Sequence, residues 1–386
     1  MTRQLLLTLL RLVVFAGSTS AAVGQLDERS APPSIPAISA VMTSFVDQGV
    51  ISGAVTLVAR DGRIVHLNAV GMADLESQRA MRNGTLFSIA SMTKPIVATG
   101  LMILYDEGKI RLDDKVSKYL PAFAHTALKG GERQGREITI HDLLTHTSGL
   151  GGSQVEPGSL AQIADALATR PLDFQPGTRW QYSPGLNVVG RIIEVVSGQP
   201  LQDFLRARLL TPLEMKNTTF FPDAQQTRRM ATLYQPGDEP GALKPDENFI
   251  VNPAKYQAPN PSGGLVSNAR DLYRFYQMVL DGGTFHGARI VSSDAVQQMT
   301  SLQTGELTTG FTPGNGWGLG WCVVRQPQGV SEMLSPGTFG HGGAFGTQGW
   351  VDRQTRTIYV LLIQRTKLPN SDDSEIRKAF QRAAQG

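Results

Sequence analysis

The chain has 386 residues, 41% of them hydrophobic, and 36 Lys+Arg against 33 Asp+Glu give a net charge of +3. So small an excess gives no electrostatic case for nucleic acid or an anionic membrane surface as a partner. A single cysteine, Cys322, excludes an intrachain disulfide and a cysteine-based zinc site. It sits in the apolar run Trp321-Cys322-Val323-Val324 and reads as a small buried residue.

In chain order, Arg3 leads into the apolar stretch at residues 5–15, and Ser20, Ala21 and Ala22 close it. This is the pattern of a signal peptide over residues 1–24, cleaved after Ala22 or Gly24. Arg11 interrupts a run already shorter than the ~20 residues a membrane span needs, so no stable membrane insertion is expected after cleavage. Loss of Arg3 and Arg11 with the leader brings the mature net charge near +1.

Residues 36–49 carry apolar positions at helical spacing. Two β-rich runs, residues 54–59 and 64–67, flank Asp61-Gly62 and predict a hairpin. A helix follows Ser91 and stops at Gly108, and further helices are predicted at residues 186–196, 201–210 and 269–280. Residues 222–262, rich in proline, read as an extended surface loop. Strands are predicted at residues 318–324, 346–351 and 357–363, with a closing helix at 374–384. Strands at both ends and helices between them indicate an α+β fold, an antiparallel sheet flanked by N- and C-terminal helices. The expected layout is a sheet domain from residues 35–92 and 310–386, a mostly helical inserted domain over 93–309, and an active site at their junction.

Ser91-Met92-Thr93-Lys94 sets a hydroxyl and an amine one helical turn apart, at the head of a run apolar on almost every side. A serine is a poor nucleophile until a neighbour removes its proton, and Lys94 is in reach to do so. Such a tetrapeptide is weak evidence alone. A second element, Trp180-Gln181-Tyr182-Ser183, offers a phenol that can shuttle protons if a nearby cation such as Lys94 depresses its pKa. The third is Phe339-Gly340-His341-Gly342-Gly343-Ala344, where paired glycines let backbone approach a ligand or simply form a turn.

In this order the three elements resemble the serine β-lactamase and penicillin-recognising superfamily, and most of all the class C β-lactamase-like (family VIII) carboxylesterases. Further matches are Thr139-Ile140-His141-Asp142-Leu143-Leu144-Thr145-His146-Thr147-Ser148-Gly149-Leu150, Pro261-Ser262-Gly263-Gly264-Leu265 and Gly318-Leu319-Gly320-Trp321. The resemblance implies a β-lactamase/transpeptidase-like fold. It implies Ser91 as the acylated nucleophile, with general-base and general-acid duty shared by Lys94 and Tyr182. An oxyanion hole from the backbone N–H groups of Ser91 and Ala344 follows, with His341, Gly342 and Gly343 lining the substrate edge. His341 stands where β-lactamases carry the lysine of K-T-G, and a mostly neutral imidazole attracts a substrate carboxylate less. Pro184 takes the place of the asparagine in the lactamase Tyr-x-Asn pattern, which leaves Asn187 as a candidate substitute.

No serine is flanked by glycines two residues away on both sides, so an α/β-hydrolase elbow is absent. His141 and His146 lack the H-E-x-x-H pattern and read as structural. No nucleotide fingerprint precedes a helix, and neither a metal nor an organic cofactor is expected. Trp317, Trp321 and Trp350 are candidates for an apolar acyl pocket, with core packing the favoured reading for Trp321. The implied function is an exported serine hydrolase, periplasmic or secreted, that cleaves small-molecule carboxylic esters through an acyl-serine. The alternatives are a class C-type β-lactamase, a D-Ala-D-Ala peptidase, an acyltransferase, or a penicillin-binding protein acylated without turnover. Oligomeric state is not legible from the sequence.

Overall fold

The structure is a computed structural model that describes residues 33–152, 158–246 and 258–385. The leader over residues 1–24 lies outside the described residues. Within them no helix is long and apolar enough to cross a membrane.

The first described helix, α1 (Pro36–Asp47), packs the apolar stripe read from the sequence into the protein, with Ile38 and Met42 fully buried. After it come β1 (Gly53–Arg60) and β2 (Arg63–Asp74). Asp61 and Gly62 both take positive φ, 48° and 75°, which matches the twist of the strands they join. The short β3 (Arg79–Ala80) follows β2. The remaining strands of this sheet come from the C-terminal part of the chain: β4 (Asn315–Trp317), β5 (Cys322–Val324), β6 (Phe339–Gly342), β7 (Gln348–Asp352) and β8 (Thr357–Leu362).

Together they make an eight-stranded antiparallel sheet in the order β4-β5-β6-β7-β8-β1-β2-β3. The join between the chain's two ends is β1 on β8, with Val55 opposite Leu362 and Arg60 opposite Thr357. Side chains alternate across the pleat. Ala54, Val58, Tyr359 and Leu361 face α1 and the C-terminal helix, while Val55, Leu57, Val360 and Leu362 face the larger core. This is the expected α+β layout, an antiparallel sheet flanked by N- and C-terminal helices.

The second strand region departs from the sequence reading in two ways. The single strand expected over residues 318–324 is a hairpin, because Gly320 takes φ 76° and Gly318 N–H donates to Trp321 O at 2.8 Å. The glycine-rich segment at residue 340 is a strand and not a turn. β6 pairs on both sides, and its glycines are needed because the flanking space is filled; a Cβ on Gly340 would meet Trp350 at 2.8 Å.

The helix after Ser91, α2 (Thr93–Asp106), is buried at every residue from Thr93 to Leu104. Side chains of this kind contribute roughly 1.5–3 kcal/mol each on full burial, so α2 is the fixed post of the molecule. Further on, α3 (Ile140–Thr145) packs on α4 (Gly185–Ser197), α4 packs on α2, and α5 (Ala269–Leu280) lies on the sheet against β1 and β8. Residues 201–210 form a helix, Leu201–Leu205, that continues as a π-helical turn. The stretch read as a surface loop at 222–262 holds a short helix, Ala224–Thr227, and a hairpin of Tyr234–Pro236 with Leu243–Pro245. Its residues 247–257 lie outside the described ones. The last helix, α6 (Glu375–Ala383), returns to the α1 face.

Candidate active site

Ser91 lies in a 3₁₀ turn, Ala90–Met92, immediately before α2. Ala90 has φ 45°, a left-handed conformation that alanine adopts only when its surroundings impose it. Those surroundings are visible. Ile89 N–H donates to Leu265 O at 3.0 Å, and Thr347 Oγ1 donates to Ile89 O at 3.2 Å. Thr93 Oγ1 accepts from Leu265 N–H at 3.1 Å. The turn is thus held between the 261–265 segment and the β6–β7 connection.

Lys94, one turn on, is buried and donates from Nζ to Ser91 Oγ at 3.2 Å and to the Ser262 carbonyl at 2.6 Å. Burial disfavours its charged form and brings its pKa down to about 7, with Asp372 pulling in the opposite direction. The amine is therefore substantially neutral near physiological pH and able to take a proton. The Ser262 carbonyl is a contact that sequence reasoning missed; the matching Pro261-Ser262-Gly263-Gly264-Leu265 segment marked the place but not the role.

Tyr182 approaches from the other side, its O–H donating to Ser91 Oγ at 2.8 Å, and Lys94 Nζ sits 4.5 Å from its ring centre. The expected depression by Lys94 is not what the structure shows. Burial pushes the phenol well above its ordinary range, and only the bond to Ser91 works against that. Tyr182 is therefore built as a proton donor, not a phenolate.

His146, read as structural, is what aims Tyr182. It caps α3 in a left-handed conformation, φ 60°, at the end of a helix whose Thr139 and Asp142 form a capping box. Asp142 is further clamped by Arg136 through two bonds of 2.6 and 2.8 Å. His146 O accepts from Gln181 N–H at 2.9 Å, and its Nδ1 accepts from Ser183 N–H at 3.1 Å. Its ring lies 4.5 Å from that of Tyr182. Burial first, then Lys94 and His341, holds His146 neutral.

His341 is also buried and neutral, its pKa brought down to about 3 by burial and by Lys94. Its Nδ1–H donates to Gly342 O at 2.6 Å, and its ring is 6.2 Å from that of Tyr182. Gly343, just after β6, seats the strand's end against the turn that carries Ser91, where a Cβ would meet Ile89 O at 2.5 Å. Ala344 follows, exposed, at the mouth. Asn187 is buried in the first turn of α4. Among the described residues, the side-chain bonds of Ser91 and Lys94 go to each other, Tyr182 and Ser262.

Of the three tryptophans only Trp317 faces the site. Trp321 stacks on Phe275 in the main core at 5.6 Å. Trp350 lies on the far side under Arg377, 4.1 Å from its ring. The wall beside Tyr182 is instead made by Trp317, Trp180 and Phe311, with Trp180–Trp317 at 5.2 Å and Tyr182–Phe311 at 5.1 Å. Phe311 is 48% exposed.

A hydroxyl, an amine and a phenol converging on one turn within this fold are the marks of a β-lactamase-related serine hydrolase. Residues 38–384 match the family model described as Beta-lactamase, and the chain belongs to that family. It is 35% identical to protein Rv1367c of Mycobacterium tuberculosis, over 82% of this chain and 87% of that one. It is 31% identical to esterase EstB of Burkholderia gladioli, over 85% of this chain and 90% of that one. Among solved structures, EstCE1, described as a hydrolase with promiscuous acyltransferase activity, superposes with a TM-score of 0.79. The identity there is 26%, over 91% of this chain and 98% of that one.

Proposed function

We propose that the protein is an exported carboxylesterase that works through an acyl-Ser91 intermediate. The observation that carries this reading is the double approach to Ser91 Oγ, Tyr182 O–H at 2.8 Å and Lys94 Nζ at 3.2 Å. Neutral Lys94 takes the serine proton as Oγ attacks the ester carbonyl. The N–H groups of Ser91 and Ala344 hold the oxyanion. Tyr182, which keeps its proton, delivers it to the departing alkoxide and is resupplied from Lys94. Water then enters, loses a proton to the same pair and releases the acid.

Ester substrates, and not β-lactams, are favoured by two observations. His341 is neutral at the edge where a lysine would attract a carboxylate. The wall of Trp180, Phe311 and Trp317 suits an apolar acyl group. The similarity to esterase EstB supports the same choice. Export is proposed from the leader over residues 1–24, and N-terminal sequencing of protein recovered from a bacterial periplasm tests it.

The functional test compares p-nitrophenyl esters, a chromogenic cephalosporin and a D-Ala-D-Ala peptide on one purified sample. Steady turnover of the esters with little of the other two is the expected result. A burst of one equivalent and no steady state on any ester would establish a protein that is acylated and stays so.

A further inference from the structure

Asp372 is an acidic side chain at the site that none of the steps above uses. It stands in the loop before α6, its backbone N–H bonded to Asn370 Oδ1 at 3.0 Å, and its carbonyl accepts from Arg377 Nη1 at 2.6 Å. Gln348 Nε2, on the neighbouring strand β7, reaches Asp372 Oδ1 at 3.4 Å while donating to Ser371 O at 2.8 Å. The loop is therefore fixed from both ends, and the carboxyl is aimed.

It is aimed at β6. A Cβ on Gly342 would overlap Asp372 Oδ1, so the carboxyl occupies the space that a side chain at 342 would take. The next residue, Gly343, abuts Ile89 O and Ala90 Cβ, the two residues that lead into Ser91. Asp372 thus stands one residue away from the wall of the nucleophile turn. Its charge is felt there: it raises the pKa of both Lys94 and Tyr182. His341, on the same strand, offers no compensating positive charge. Arg377 is fully buried behind the strand. Burial pushes the Asp372 carboxyl up, while Arg377, Gln348 and Lys94 pull it back.

We infer that Asp372 is a specificity-determining residue, which repels substrates carrying a carboxylate beside the scissile bond and admits neutral and cationic ones. The inference deepens the esterase reading and rests on it. Like charges brought together discriminate between ligands through repulsion as much as attraction. An absent side chain at 342 and a carboxyl seated in its place are two halves of one device.

The test uses three phenylacetate esters that differ only in the leaving phenol: unsubstituted, meta-carboxy and meta-aminomethyl. Values of kcat/KM are measured at neutral and at mildly alkaline pH. The wild-type protein is expected to disfavour the carboxylate ester against the neutral one by at least ~10-fold, and to treat the ammonium ester at least as well as the neutral one. Asp372→Asn, which removes charge but keeps shape, should raise the carboxylate-to-neutral ratio by at least ~10-fold. Equal use of the two esters by the wild-type protein overturns the inference without any variant. So does a ratio that moves in Asp372→Ala but not in Asp372→Asn, since that would make the effect one of space. If none of the three esters is turned over, the esterase reading itself falls; turnover of the neutral ester keeps that reading, whatever the ratio does.

Discussion

With Lys94 as the proposed base, its pKa should set the pH at which the ester is cleaved. An ordinary lysine at 10.5 is neutral to about one part in 3,000 at pH 7, whereas one brought down to about 7 is about half neutral there. Burial in this site therefore raises the concentration of competent base about a thousandfold at neutral pH. Tyr182 is shifted the other way, so its ionisation adds no alkaline fall within the usual working range. The expected profile of kcat/KM on a neutral ester climbs about tenfold per pH unit below about 7, bends there, and stays level well into alkali. Stopped-flow or plate-reader rates across buffers of constant ionic strength measure it. Lys94→Arg, permanently charged, should lose at least ~100-fold and regain nothing at high pH. A bend in the ordinary carboxylate range near 4, or a rate that falls through neutrality, would refute the assignment of Lys94 as base.

Other outcomes follow from the same geometry. Tyr182→Phe keeps the ring against His146 but removes the proton donated to Ser91, and kcat should fall at least ~100-fold with little change in KM. His341→Lys should shift preference toward carboxylate-bearing substrates, most of all when combined with Asp372→Asn; unchanged selectivity in the single variant would remove His341 from the substrate edge. Trp180→Ala and Phe311→Ala should raise KM for long-chain p-nitrophenyl esters by about 10-fold or more while sparing acetate, if the aromatic wall holds the acyl group.

The position of Ser91 and Lys94 at the head of a buried helix was legible because local pattern determines it. A run that is apolar all round can only be a buried helix, and Ser91 and Lys94 fall one turn apart at its head. The β1–β2 hairpin was legible for the same reason, since Asp-Gly supplies two consecutive positive φ values. What stayed hidden depends on residues far apart in the chain. The glycines of β6 leave a ligand-facing segment and a plain turn equally open in the sequence, because Trp350 and Asp372, which fill the space beside them, approach from later segments. His146 gives no sign of aiming Tyr182, because the bond from Ser183 N–H crosses 37 positions. The direction of the Tyr182 shift was likewise out of reach: a nearby cation suggests a lower pKa, and only burial, a property of the whole fold, reverses it. Trp317, Trp321 and Trp350 look equivalent in sequence, yet the sheet sends Trp321 into the main core and the other two into the second cluster, where Trp317 meets the rings of Tyr182 and His341.

The most direct measurement is mass spectrometry of the protein quenched in acid during steady-state ester turnover. One acyl group should appear per chain, on the proteolytic peptide containing Ser91, and Ser91→Ala should show neither the adduct nor any turnover. An adduct on another residue, or sustained hydrolysis by Ser91→Ala, would contradict the mechanism at its first step.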